Sequence, residues 1–477
     1  MKLITLILKG AFVLLLLNSS VTVAYSDNYN MEKTYNIKDY GAIGDGHTLN
    51  THAINQAIIA CSKAGGGIVR VPQGNYLTGS IMMKSDVTFY LERGARIIGS
   101  SDSRLYRSYK LTHQDPNEPI NITVSDSATW CNAIILMDHV QNVTITGTGT
   151  VDGNWPIDSS GRHRGPHGIL MGDCKNITIS DITVTRSGDY NILALFVENL
   201  KITGVTIIAG FDGIHIRQGR NLLIKDCKIY SRDDAIAGGY WKHTVIEDCL
   251  INSSCNGIRL VLPATDLEIR NCQISGPGVF GHPRGTRMDP LVRRTLTGII
   301  LQPGAWGLGA GKLQNIYIHD IRLRDMETAF TFVLNEGNQG NDIFVKDVVA
   351  TGINRIACSV EAWPDSSYFS HVRFKNISIA YTLNNEHLSQ VNDFRRPKTE
   401  SRPIPYWGFY VRNVKDIEFD HVKMDYTGED KRPVMGFDHV DKVVLDKVSY
   451  RNASGVQALK YSTSTDMKII DSGPFDQ

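Results

Sequence analysis

An all-β fold is predicted for this 477-residue chain: a single-stranded right-handed parallel β-helix closed at one end by a short helix. Three features predict it. Strand-like segments recur about every 22 residues, each alternates apolar with polar residues, and one amphipathic helical pattern precedes them.

The helical pattern lies in GAIGDGHTLNTHAINQAIIACSKAGGG, where Ala53, Ile54, Ala57, Ile58 and Cys61 fall at helical spacing after Asn50-Thr51 and a glycine run stops the helix. Such a helix can cover the end of a coil that otherwise exposes a strand edge. The clearest repeats are NVTITGTGTV from Asn142, NITISDITVT from Asn176, NLKITGVTII from Asn199, NLLIKDCKIY from Asn221, HTVIEDCLIN from His243 and DLEIRNCQIS from Asp266. Looser copies begin at Asn315, Asp342, His371, Asp416 and Asp441. A repeat of this length accommodates three short strands and their turns, so that like residues stack on rungs roughly 4.8 Å apart. The period breaks near 277–296 and 384–408, which read as loops projecting from the coil and shaping a binding groove.

Residues 1–24 carry Lys2 and Lys9, an apolar run from Ala11 to Leu17 and a small-residue exit at Ala24, the pattern of a cleavable export signal. The remainder, 25–477, reads as one domain, secreted or periplasmic, monomeric and with no membrane span. Lys and Arg number 50 against 49 Asp and Glu, a balance that speaks against nucleic-acid binding by global charge. Of the eight cysteines, Cys227, Cys249 and Cys272 recur 22 and 23 residues apart and read as stacked core residues rather than disulfide partners.

Aligning Ile214, Ile236 and Ile258 as inward residues makes Asp212, Asp234 and Asn256 one column, with Phe211, Asp233 and Cys255 beside it. A third column, just after each isoleucine, holds His215, Ala237 and Arg259. Asp and Asn are favoured in tight turns for backbone reasons alone, so these aspartates have a purely structural reading. Carboxylates stacked a rung apart, however, disfavour each other's charge, and such pairs are how proteins separate an acid from a base at neutral pH.

GAIGDGHTLNTHAINQAI, the GTVDGNW ending at Trp155, and the rungs bearing Asp212-Gly213 and Asp233-Asp234-Ala235-Ile236-Ala237 resemble glycoside hydrolase family 28, the polygalacturonases, within the pectin lyase-like superfamily. The likeness covers most of residues 33–275. It implies a β-helix enzyme acting on acidic plant or algal polysaccharide with inversion, Asp233 being the general acid while Asp212 and Asp234 activate water. Inversion requires carboxyls about 6.5–9.5 Å apart, which the Asp212–Asp233 diagonal is expected to reach.

This chain departs from the family pattern at several positions. Gly210-Phe211-Asp212 stands for Asn-Thr-Asp, Arg232-Asp233-Asp234 for Gly-Asp-Asp, Cys255-Asn256-Gly257 where the family has His-Gly, and Ile300-Leu301-Gln302 for the Arg-Ile-Lys that grips a substrate carboxylate. His215, Arg217, Arg232, Asn256 and Arg259 are the candidates to bind substrate instead, since an arginine fork suits a carboxylate or sulfate. As surface charges and turn residues they have an ordinary structural reading. Weaker candidates are Arg162, His163, Arg164 and His167, and Arg284, Arg287, Arg293 and Arg294, in two charged loops. Trp306, Trp363 and Trp407 could stack on sugars or pack under loops.

Three functions are compatible with these residues. The first is inverting hydrolysis. The second is β-elimination by a lyase or dehydratase, with His215 as base and Arg217 and Arg259 neutralising the uronic acid. The third is a non-catalytic carbohydrate-binding solenoid. Phosphate loops and dinucleotide fingerprints are absent, and no cofactor or metal site is legible, with oxygen-only calcium sites left open.

Overall fold

The computed structural model describes residues 33–111, 117–118, 131–155, 165–283, 293–307, 309–354, 356–363, 366–382, 395–461 and 465–475. The export-signal segment 1–24 lies outside them, as do Arg162, His163, Arg164, Arg284, Arg287 and parts of both expected loops. Lys33–Gln477 forms one compact unit.

One continuous sheet joins the described strands into a parallel β-helix. Among them, the only antiparallel pairing is Arg107–Ser108 with Asn132–Ala133. The interior is built of stacked columns. Ile192, Ile214, Ile236, Ile258 and Ile299 succeed one another rung by rung. A second column runs Ile145, Ile179, Ile202, Ile224, Ile246, Ile269, Ile318, Val345, Phe374, Phe419 and Leu445. Towards the C-terminal end phenylalanine replaces isoleucine, and Phe374 and Phe419 stack with centroids 5.3 Å apart.

The repeat has a backbone cause. At the first position of nine segments, from Asn142 through His371, φ lies between 52° and 57°, and the sixth position of these segments is also left-handed. Most L-residues resist that conformation, whereas Asn, Asp and Gly tolerate it, which is why those residues punctuate the period. Only the last two copies, at Asp416 and Asp441, lack the first corner.

The corners also bond to one another. Asn176 Nδ2 donates to Asn142 Oδ1 at 2.9 Å, Asn199 to Asn176 at 2.7 Å, and Asn221 to Asn199 at 2.8 Å. Asn199→Ala is therefore expected to cost about 1–2 kcal/mol through lost hydrogen bonds and left-handed strain, and Asn199→Gly less, because glycine removes only the bonds. Denaturant midpoints of the two variants separate the contributions.

The helix spans Thr51–Lys63 and buries Ala53, Ile54, Ala57, Ile58 and Cys61 against the first rungs. Asn50 does not cap it through its side chain. Its Nδ2 donates to the carbonyls of Ile43 and Thr48, and its Oδ1 accepts from Ile43 N, so it ties the incoming chain to the helix start. Gly65 and Gly66, at φ +92° and +105°, turn the chain after Ala64. Cys227, Cys249 and Cys272 are buried free thiols stacked on successive rungs. Among the described residues, no helix is long and apolar enough to cross a membrane.

Candidate active site

The backbone places Asp212 and Asp234 where the rung alignment expects them. Gly213 N donates to Asp234 O and Ala235 N to Asn256 O, each a ladder bond between neighbouring coils. These residues stand just before the strands Ile214–Lys225 and Ile236–Glu247, so their main chain continues the corner while their side chains are turned to one face. His215, Ala237 and Arg259 are paired neighbours on that face, and the small Ala237 separates the two larger groups.

A cavity of about 260 Å³ lies there, lined by Asp212, Asp233, Asp234, His215, Arg217 and Arg259. Two larger hollows elsewhere, of about 720 and 460 Å³, contain none of the three aspartates. One carboxylate oxygen from each of Asp212, Asp233 and Asp234 lies within 4.8 Å of the others. The nearest oxygens of the Asp212–Asp233 pair thus do not show the wider diagonal expected from the sequence, and spacing alone does not single out Asp233. Accessibility does distinguish the three: the side chain of Asp233 is 16% exposed, against 10% for Asp234 and 5% for Asp212.

Each of the two buried aspartates is held by donors. His215 Nδ1 is 2.6 Å from Asp212 Oδ2, and Arg217 Nε donates to His215 Nε2 at 3.0 Å. A guanidinium can only donate, so His215 Nε2 must accept and its proton must lie on Nδ1, facing Asp212. Tyr190 stacks flat on the imidazole at 4.7 Å and 1°. Both ring nitrogens and one ring face are thereby occupied, so in this arrangement His215 Nε2 is engaged by Arg217 rather than open to a substrate proton.

Asp234 accepts from Asn256 Nδ2 at 2.8 Å and faces Arg259 Nη1 at 3.5 Å. Burial pushes its carboxyl up to about 6, opposed by the Arg259 charge and reinforced by that of Asp233. Arg259, 2% exposed, also donates to Glu400 Oε1 at 2.9 Å and to the Thr399 carbonyl. Its guanidinium lies 5.6 Å from the ring of Trp306, which is 44% exposed on the cavity wall.

Two of the expected substrate-binding residues do not line the cavity. Arg232 Nε donates to the Gly281 carbonyl at 2.7 Å and secures the 277–283 segment. Asn256 is wholly buried and acts through Asp234 and Glu400. His167 is buried and its Nδ1 accepts from Tyr190 N, while Arg294 pairs with Glu327, so neither reaches the site. Trp407 is core, and Trp363 Nε1 donates to Glu361. Ile300, paired with Arg259, is buried, so the cation on this face sits one rung before the family's Arg-Ile-Lys position.

The sequence reading missed Tyr190, His282, Thr399 and Glu400. Tyr190 was recoverable, because the 22-residue spacing that pairs Ile192 with Ile214 sets Tyr190 one rung below Asp212. The other three come from the irregular loops, where no period supplies a position.

A parallel β-helix presenting an acidic cavity on one face, with its corners set by Asn and Asp, is the class that fold and site define. The family model for rhamnogalacturonase A/epimerase, pectate lyase-like proteins matches residues 34–281, just over half of the chain, and this chain belongs to that family. A probable polygalacturonase of Vitis vinifera is 27% identical over 380 residues, covering 72% of this chain and 73% of its own length. The exo-poly-α-D-galacturonosidase of Dickeya chrysanthemi is 37% identical over 127 residues, 26% of this chain and 20% of its own. Among solved structures, a family 28 exopolygalacturonase of Yersinia enterocolitica superposes with a TM-score of 0.56 at 16% identity, covering 93% of this chain and 79% of its own. PfbA, a surface adhesin of Streptococcus pneumoniae, gives 0.53 at 14%, covering 89% and 93%. An enzyme and an adhesin thus share the fold, and function has to be argued from the site.

Proposed function

We propose that the protein degrades pectin-like, uronic-acid-containing polysaccharides or their oligosaccharides by hydrolysing a glycosidic bond. The convergence of three carboxylates beside a buried arginine in one walled cavity is the observation that carries this reading. The polygalacturonase relatives support the substrate class, and the export pattern of residues 1–24 would put the enzyme outside the cytoplasm, where polymer is met.

Three ionised carboxylates at this range repel one another, so one of them holds a proton. His215 holds Asp212, and Arg259 and Asn256 temper the upward push that burial gives Asp234. We assign the proton to Asp233, the most accessible of the three to a glycosidic oxygen. Asp233 gives it to the glycosidic oxygen as the carbon–oxygen bond breaks. Asp234, flanked by Asp212, takes a proton from the water whose oxygen bonds to the anomeric carbon. The two acids end the step with exchanged protonation and lie close enough for a proton to return through one water. Arg217 and Arg259 supply positive charge for the uronic carboxylate, and Trp306 a ring for the sugar face.

Polygalacturonate, rhamnogalacturonan and uronic oligosaccharides should release reducing ends without a new near-ultraviolet chromophore. Unsaturated product would instead establish elimination, and binding without product would establish a non-catalytic solenoid.

The pH profile tests the roles of the two acids. Asp234 has to be ionised to accept a proton, so the rate should fall as pH drops through about 6. If Asp234 were the acid, the rate would fall as pH rises through that value.

A further inference from the structure

We propose that Asp233, Cys255 and His282 form a binding site for a borderline divalent cation of the zinc class, at the mouth of the cavity. One ligating atom from each lies within 4.8 Å of the other two, and His282 Nε2 is 3.6 Å from Asp233 Oδ1. Tetrahedral zinc, with bonds of about 2.0–2.3 Å, brings its ligand atoms to about 3.5 Å of one another, so side-chain shifts of roughly an ångström complete the site. Imidazole, thiolate and carboxylate are together a set that zinc accepts and that magnesium and calcium do not favour.

The surroundings suit a cation bound through sulfur. Asn256, wholly buried, has Nδ2 3.2 Å from Cys255 Sγ, so one of its two N–H groups can turn from Glu400, equally distant, to support a thiolate. Burial, reinforced by the charges of Asp234, Glu400 and Asp233 and opposed by that of Arg259, disfavours a bare thiolate at Cys255, and a bound cation would offset it. On binding, the thiol proton passes to water as the sulfur–metal bond forms. Three protein ligands leave a fourth position for water on the cavity side.

Occupancy would engage the Asp233 carboxylate and so block proton donation, a consequence that rests on the hydrolytic reading above. The site itself does not rest on that reading. Cobalt(II) added to the full chain should give a thiolate-to-cobalt charge-transfer band that zinc displaces. Cys255→Ser should abolish the band. His282→Ala should weaken zinc binding by more than the roughly 10–100-fold that loss of a merely supporting group costs, with circular dichroism confirming that both variants are folded. Absence of the band in the wild type, or its persistence in Cys255→Ser, would overturn the proposal. Zinc should also inhibit hydrolysis by the wild type. Cobalt bound through sulfur with an undiminished rate would leave the cation site standing and remove Asp233 as the proton donor.

Discussion

Asp233→Asn should lower kcat on uronic oligosaccharides by about 10²–10⁴-fold while leaving KM and folding nearly unchanged. That is the range a positioned general acid contributes, and the interaction removed exists only in the transition state. The amide can replace the carboxylate locally, because the Asp233 Oδ1 that accepts from Asp234 N at 3.1 Å is retained as an amide oxygen. A leaving group that departs without protonation separates acid from base. On an aryl glycoside, Asp233→Asn should recover most of its activity, because a stable phenolate needs no proton. Asp234→Asn should stay impaired on both substrates, because water must be deprotonated whichever group leaves. Equal losses for the two variants on the aryl substrate would remove the division of labour between these neighbouring carboxyls.

The fold and the site were legible to different degrees for one physical reason. Where the chain keeps a constant coil length, alignment of Ile214, Ile236 and Ile258 carries every residue near them into its column, and His215, Asp234 and Arg259 fall where the spacing puts them. The spacing holds because Asn, Asp, His and Gly occupy left-handed corners, a constraint written in residue type. Spacing does not report where a long side chain ends. Arg232 shares a rung with the aspartates, yet it turns to the Gly281 carbonyl. The position of His215 fits a base, but spacing does not show that Arg217 and Asp212 engage its two nitrogens. Glu400 lies 141 residues from Arg259 in a segment without a repeat, and no local signal connects them. The strap that carries it is fixed by Arg402, whose Nη1 and Nη2 both donate to the buried Glu361 at 2.7 Å, again a contact between distant residues.

Arg259→Met should produce the largest loss of stability, about 3–5 kcal/mol near neutral pH, the cost of removing one member of a buried charge pair. The guanidinium stands between Asp234 and Glu400, and methionine fills much of its volume without neutralising either. The penalty comes chiefly from Asp234, left charged in a poorly solvated site, so its protonation relieves it. Asp234 would then have a folded-state pKa raised further above that of the unfolded chain, and the deficit should be small below pH ~4 and grow as pH rises through and beyond about 6. Denaturant titrations at a series of pH values measure this directly, and a deficit independent of pH would point to lost packing instead. Catalysis gives a second readout from the same change. The Arg259 charge opposes the upward push on Asp234, so its removal should move the acid limb of the rate profile to higher pH. Arg259→Lys should restore most of that limb but less of the stability, since an ammonium supplies the charge without the planar fork that reaches Glu400 and the Thr399 carbonyl together.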